Sequence, residues 1–214
     1  MSPRPRKPPT LRAGEATSFL AGDPRFGPWV KAVGPIRMRR VKESPFHYLV
    51  RSIVFQQLAG AAAYTIHGRF VEALEGKVTP RAIASASDEE LRGAGLSRGK
   101  LAAIRDLAAK SASLRLDELP WADDEEVVRR LTTVRGIGPW TAQMYLMFAL
   151  RRPDVWPAGD LGVRAGYARI HGLTETPGEK DMPPLGEAYR PWRSAAAWYC
   201  WRALETELQQ GGRA

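Results

Sequence analysis

The chain has 214 residues, 44% of them hydrophobic, and carries 32 Lys plus Arg against 23 Asp plus Glu for a net charge of +9. That apolar content excludes a disordered polyelectrolyte and provides for a real core, while the basic excess favours a polyanionic partner. One cysteine, Cys200, excludes an intrachain disulfide and any four-cysteine zinc or iron–sulfur site and fits a reducing, cytoplasmic setting; no apolar run reaches the ~18 residues of a membrane span.

In chain order, residues 1–14 (MSPRPRKPPTLRAG) read as a flexible basic tail able to touch phosphates non-specifically, with no apolar stretch of the secretory kind. Ser44-Pro45 is a cap followed by proline at the first helical position, and Phe46, Leu49, Val50, Ile53, Val54 and Leu58 follow at helical spacing. Thr79-Pro80 repeats that signal, and Ser87-x-x-Glu90 and Asp123-x-x-Glu126 are capping boxes. Ser97 caps a helix containing Leu101, Ile104 and Leu107, and Gly76, Gly95 and Gly172 fit helix ends. Further helices are expected over 139–150, over 161–171 and from about Pro191 to Gln209, the last opening with three tryptophans (192, 198, 201); the Pro/Gly-rich stretch between His171 and Tyr189 reads as loop. The sum is an all-α protein of nine or ten short helices, with a helical domain over 15–210 and no internal repeat. His47, His67 and His171 lack zinc-ligand spacing and read as structural or surface residues.

Two features carry chemistry. Gly136-Ile137-Gly138 forms a hairpin between helical segments, with Pro139 opening the second. Glycines let the backbone approach a ligand closely, and the first-turn N–H groups of the following helix can receive an anion such as a DNA phosphate. Ile137 would anchor the turn; an ordinary αα-hairpin capped by glycines is the plainer alternative. Twenty-two residues after Gly138 stands Asp160, in PAGDLGVRAG. It is placed to N-cap helix 161–171, and the same fixed carboxylate could serve catalysis. The pair, a phosphate-holding turn and a single acid, points to an enzyme that removes a base from DNA.

On the segments LVRSIVFQQLAGAAA (49–63), GLSRGKLAAIRDLA (95–108), VRGIGPWTAQM (134–144), WPAGDLGVRAG (156–166) and YRPWRS (189–194), the chain resembles the helix-hairpin-helix DNA glycosylase superfamily, and within it the alkylpurine branch typified by 3-methyladenine DNA glycosylase II. The resemblance implies a two-lobed all-helical fold with the active-site cleft between the lobes, one lobe built from about 15–45 plus 160–210 and the other, carrying the hairpin, from about 46–159. It implies that Asp160 is catalytic, and that Gly136, Ile137, Gly138 and Thr141 contact DNA. Gln57, or alternatively Leu58, would fill the gap left by a flipped nucleotide. Trp140, Trp201, Met144 and Leu161 would line the base pocket, the last two standing where an alkylpurine relative carries tyrosines; Trp192 and Trp198 are further aromatic candidates, and Trp29, Trp121 and Trp156 fit core or loop.

The carbonyls of Thr132, Val134 and Ile137 would hold a monovalent Na+ or K+, with no other cofactor. Lyase-active members place a lysine two residues after the second hairpin glycine; here that residue is Trp140, which implies a monofunctional enzyme acting as a monomer on duplex DNA with damaged bases. No N-terminal β-domain is expected. An oxidised-base glycosylase with lyase activity and a non-catalytic DNA-binding module are the competing readings. Departure of a base builds positive charge on the sugar, which a carboxylate stabilises; a cationic alkylated purine leaves without a second acid, so one carboxylate suffices.

Overall fold

The structure is a computed structural model and describes residues 7–208. It consists of α1 (Ala13–Ala21), α2 (Gly27–Val33), α3 (Pro45–Phe55), α4 (Gly60–Ala73), α5 (Pro80–Ser85), α6 (Asp88–Gly93), α7 (Arg98–Leu114), α8 (Asp124–Leu131), α9 (Pro139–Met144), α10 (Leu161–His171), α11 (Met182–Gly186) and α12 (Arg193–Glu205). Short 3-10 turns occupy Leu119–Trp121 and Glu187–Tyr189, and a π-turn over Tyr145–Ala149 continues α9. Every regular element among the described residues is helical, so the fold class is all-α.

The caps explain the boundaries. Ser44 accepts the His47 N–H, Thr79 that of Ala82, Ser97 that of Lys100 and Asp123 that of Glu126. At Ser87 the box is reciprocal, with Glu90 returning a bond to the Ser87 N–H at 2.7 Å. At Asp123 the box is only half used, because the Glu126 carboxylate pairs with Arg129 and Arg130. Gly76, Gly95 and Gly172 all adopt positive φ, as helix-terminating glycines do.

The structure departs from the sequence expectation in several places. Residues 1–6 of the expected tail lie outside the described residues, but the tail does not extend to 14: Leu11 is buried, its N–H bonds the Arg151 carbonyl at 2.6 Å, and helix begins at Ala13. The expected 139–150 helix changes to π-geometry at Tyr145. The stretch between His171 and Tyr189 contains α11, which forms despite its two prolines because they occupy the first turn, where no intrahelical N–H is required. The last helix starts at Arg193 and stops at Glu205, short of Gln209, which lies outside the described residues. Twelve α-helices among the described residues exceed the expected nine or ten because several are barely longer than a turn and carry no periodicity to detect.

The chain forms two compact units. Among the described residues, one comprises Arg40–Tyr145 together with Lys7 and Pro8, and thus α3–α9; the other comprises Pro9–Arg39 and Leu146–Leu208, and thus α1, α2 and α10–α12. The sequence reading places the junctions at about 45/46 and 159/160. The first unit packs the apolar face of α3 (Leu49, Val50, Ile53, Val54) with Phe70, Ile83, Ile104 and Leu107, all fully buried; each such side chain contributes ~1.5–3 kcal/mol. The second unit is centred on α10 against α12. A Cβ at Gly166 would land on the Cys200 backbone carbonyl, so the two helix backbones touch there. Trp156, Tyr167, His171 and Tyr189 form an aromatic cluster beside that crossing.

Gly166→Ala should therefore destabilise the protein by about 3 kcal/mol or more, measured by urea unfolding, since backbone opposes the new methyl; a change under ~1 kcal/mol would contradict the close crossing. The histidines give a second expectation. His47 and His67 face each other with Nε2 atoms 3.2 Å apart, and His171 bonds the Tyr189 hydroxyl at 2.9 Å. Burial, chiefly, lowers the pKa of all three below the ordinary 6.5. The unfolded chain then binds more protons than the native one, so this stability is present above about pH 6.5 and is lost as pH falls below it. The urea midpoint should drop between pH 7.5 and 5.5; a flat profile would show these rings to be as solvated as in the unfolded chain.

Candidate active site and nucleic-acid interface

The first unit carries the hairpin. After α8 ends at Leu131, the turn runs through Thr132–Gly138 and α9 begins at Pro139. Only one of its glycines uses a conformation that side chains avoid: Gly136 has φ +76°, whereas Gly138 is the extended N-cap of α9 with φ −92°. Ile137 is 3% exposed and anchors the turn in the core, as expected.

The turn is held from outside itself. Asp106 of α7 accepts the Arg135 N–H at 2.8 Å and the Lys110 ammonium at 2.8 Å, and Lys110 also donates to the Thr133 carbonyl at 2.6 Å. The Lys110 hydrogen bond, followed by the Arg135 N–H, holds the Asp106 carboxyl below its ordinary range. From α3, Gln56 Nε2 donates to the Gly136 carbonyl at 2.9 Å and to Thr141 Oγ1 at 3.3 Å. Lys100 Nζ caps the end of α3 through the Val54 carbonyl at 2.7 Å, and burial lowers its pKa. Gln56, Gln57, Ser97, Lys100, Arg135 and Gly136 line a cavity of about 340 Å³ beside the turn.

Other sequence-predicted residues lie in the same unit. Gln57 is exposed, with φ +55°, just past the end of α3, and Leu58 beside it is 37% exposed. Trp140 is 45% exposed, while Thr141 and Met144 are buried. The Val134 carbonyl already accepts the Ile137 N–H at 3.1 Å.

The second unit carries Asp160. It caps α10, as its sequence position implied: Oδ1 accepts the Val163 N–H at 2.8 Å. The same oxygen accepts the Trp201 indole N–H from α12 at 2.9 Å. Trp201 stacks on Phe148 with ring centroids 5.8 Å apart. Leu161, the next residue after Asp160, is 65% exposed. Trp156 and Trp29 are buried, as expected of core residues, and Trp121 sits half-exposed in a 3-10 turn. Asp160, Leu161 and Trp201 are thus brought together in one unit. Trp140, Met144, Gln57, Leu58 and the hairpin belong to the other.

A family model described as the HhH-GPD superfamily of base excision DNA repair proteins matches residues 50–191, which include both the hairpin and Asp160. The chain belongs to this superfamily. The chain is 37% identical over 196 residues to DNA-3-methyladenine glycosylase 1 of Schizosaccharomyces pombe, covering 88% of this chain and 86% of that one. It is 33% identical over 171 residues to a putative DNA-3-methyladenine glycosylase of Bacillus subtilis, covering 76% of this chain and 60% of that one. Among solved structures, that of a Schizosaccharomyces pombe 3-methyladenine DNA glycosylase in complex with abasic DNA superposes with a TM-score of 0.82 at 34% identity, over 92% of this chain and all of the other.

Sequence reading of this HhH-GPD chain missed the residues that brace the hairpin, Gln56, Asp106 and Lys110, and Lys100, which caps the neighbouring end of α3. The one visible signal is a polar Gln56 directly after the apolar pair Val54-Phe55 at the end of α3. The two hairpin glycines separate shape from approach. Gly136→Ala places a side chain at φ +76° with its Cβ 3.1 Å from Ala103 Cβ, and should cost about 1–2 kcal/mol of stability. At Gly138, chain neighbours aside, no atom of the described residues lies within 4 Å of a Cβ. Gly138→Ala should therefore leave urea unfolding within ~0.5 kcal/mol of the parent yet weaken duplex binding in fluorescence anisotropy. Unchanged affinity there would mean that DNA backbone does not come close to this turn.

Proposed function

We propose that this protein is a monofunctional DNA glycosylase that hydrolyses the N-glycosidic bond of alkylated bases, of the 3-methyladenine and 7-methylguanine type, in duplex DNA, as an early step of base excision repair. The observation that carries this reading is the Asp160 carboxylate, fixed by two N–H donors on one oxygen in a chain of the HhH-GPD superfamily. The names borne by its relatives support the substrate class.

The chemistry follows from the groups present. A purine alkylated at N3 or N7 is already cationic, so its departure needs no protonation. Positive charge builds instead on the sugar, and the fixed carboxylate of Asp160 stabilises it and orients the water that completes hydrolysis. Trp140 occupies the position at which a lyase carries its attacking lysine, so no Schiff base forms and the strand stays intact. An extruded base costs a few kcal/mol of stacking, offset by aromatic faces at ~1–3 kcal/mol each; Trp140 is exposed and electron-rich, which suits a cationic base.

In this reading the hairpin residues Gly136, Ile137, Gly138 and Thr141 grip the phosphate backbone, and Gln57, or alternatively Leu58, fills the vacated stack. Trp140, Trp201, Met144 and Leu161 contribute to the base pocket. The carbonyls of Thr132, Val134 and Ile137 offer hard oxygen donors that fit a Na+ or K+ ion, the Val134 oxygen having a second lone pair beyond its bond to Ile137; such an ion would screen a phosphate at the turn. The enzyme acts as a cytoplasmic monomer. Among the described residues no helix is long and apolar enough to cross a membrane.

Purified protein incubated with methylated duplex DNA should release free 3-methyladenine, read by mass spectrometry, while the strands remain uncut until alkali is added. Borohydride should trap no protein–DNA adduct. Adduct formation, or nicking without alkali, would assign a lyase mechanism instead; binding without any base release would assign a DNA-binding module.

A further inference from the structure

Resting on the catalytic reading of Asp160, we propose that Trp201 is a positioning residue for that carboxylate, and that Gly162 is the residue that admits it. Three observations converge. The Trp201 indole N–H reaches Asp160 Oδ1 at 2.9 Å, on the oxygen that also takes the Val163 N–H at 2.8 Å. Two donors from different helices fix the carboxylate against rotation in a way that a helix cap alone does not. A Cβ at position 162 would stand 2.8 Å from Trp201 Cδ1, 3.0 Å from its Nε1 and 3.1 Å from Asp160 Oδ1. Any other residue there pushes the indole edge off the carboxylate. Finally, Trp201 follows Cys200, the residue whose backbone meets Gly166 at the α10–α12 crossing. Gly162 and Gly166 lie one helical turn apart on α10, so one bare strip sets both the helix approach and the reach of the indole.

The sequence pattern offers Trp201 as a wall against which a base stacks. Its geometry assigns a further task. The ring plane is set by the stack on Phe148, and its polar edge is committed to Asp160. A donor held on a carboxylate keeps the charge in place and oriented where a cationic sugar develops, with no reorganisation during reaction. It therefore acts on turnover and on recognition of sugar charge, and leaves the grip on the strand unchanged.

The test uses two abasic duplexes that contain no base to stack, one with a cationic pyrrolidine in place of the sugar and one with neutral tetrahydrofuran. The parent protein should prefer the pyrrolidine. Trp201→Phe keeps an aromatic ring against Phe148 and loses only the N–H. It should bind tetrahydrofuran DNA within about twofold of the parent, lose about tenfold of the pyrrolidine preference and lose a similar factor in single-turnover excision. Gly162→Ala should give the same pattern with the indole intact, and the double variant should lose no more than the larger single loss, since both act on one contact. Equal loss on both duplexes, or a Trp201→Phe protein with full preference and full rate, would overturn the proposal. A parent protein that excises no base and shows no preference for the pyrrolidine would instead remove the catalytic role of Asp160 itself.

Discussion

One oxygen of Asp160 closes the first turn of α10 and receives the indole of α12, and the chemistry proposed for the second unit depends on that double use. As a cap the carboxylate contributes on the order of 1 kcal/mol to helix stability, and a hydrogen bond to a charged acceptor contributes ~1.5–3 kcal/mol. These are structural interactions, and they are also what a catalytic charge requires. A carboxylate free to rotate spends part of its time turned away from a developing cation. Here the helix end and the tryptophan remove that freedom before any substrate arrives. A neutral leaving group would demand a proton donor as well; a cationic base does not, so a single held charge matches the alkylated substrate class.

The hairpin obeys the same logic in the first unit. A turn proposed to receive phosphate through its backbone has no side chain with which to correct a misplaced amide, so its shape must be imposed from outside. Asp106 and Lys110 fix it from α7, and Gln56 fixes it from α3. Gly136 supplies the one left-handed residue of the turn, and Ile137 ties it to the core. The net charge of +9 then adds a long-range attraction for polyanion that a short turn cannot provide. Gln56, which braces the turn, and Gln57, which stands exposed beyond it, are neighbours in sequence with opposite assignments. The left-handed backbone at Gln57 turns the chain at that point.

What could be read from the chain alone was what local rules encode. The caps at Ser44, Thr79, Ser87 and Ser97 carry their signal within three residues and mark helix starts correctly. Asp160 likewise announced itself as a cap, and the glycine pair announced a tight turn. Contacts that join distant segments left no such trace. The Gln56 bond to Gly136 spans 80 residues, and that of Trp201 to Asp160 spans 41. In sequence Gly162 is an ordinary helical glycine; only the fold places the Trp201 indole against it. Helix α11 was hidden because two prolines in a loop-like stretch outweigh a five-residue helix, although Met182 is buried and its carbonyl takes the Trp156 N–H. The reading of 1–14 as tail does not hold at Leu11, which is buried and bonds a carbonyl 140 residues away, at Arg151.

The claim on which everything turns is that the negative charge of Asp160, and not merely its shape, drives base release. Asparagine caps a helix about as well as aspartate, so Asp160→Asn removes the charge and leaves the fold and the Val163 bond in place. Single-turnover release of 3-methyladenine should fall by at least about a hundredfold, while affinity for tetrahydrofuran-containing duplex and the unfolding midpoint stay near those of the parent. An asparagine variant that excises within about twofold of the parent rate would contradict the account.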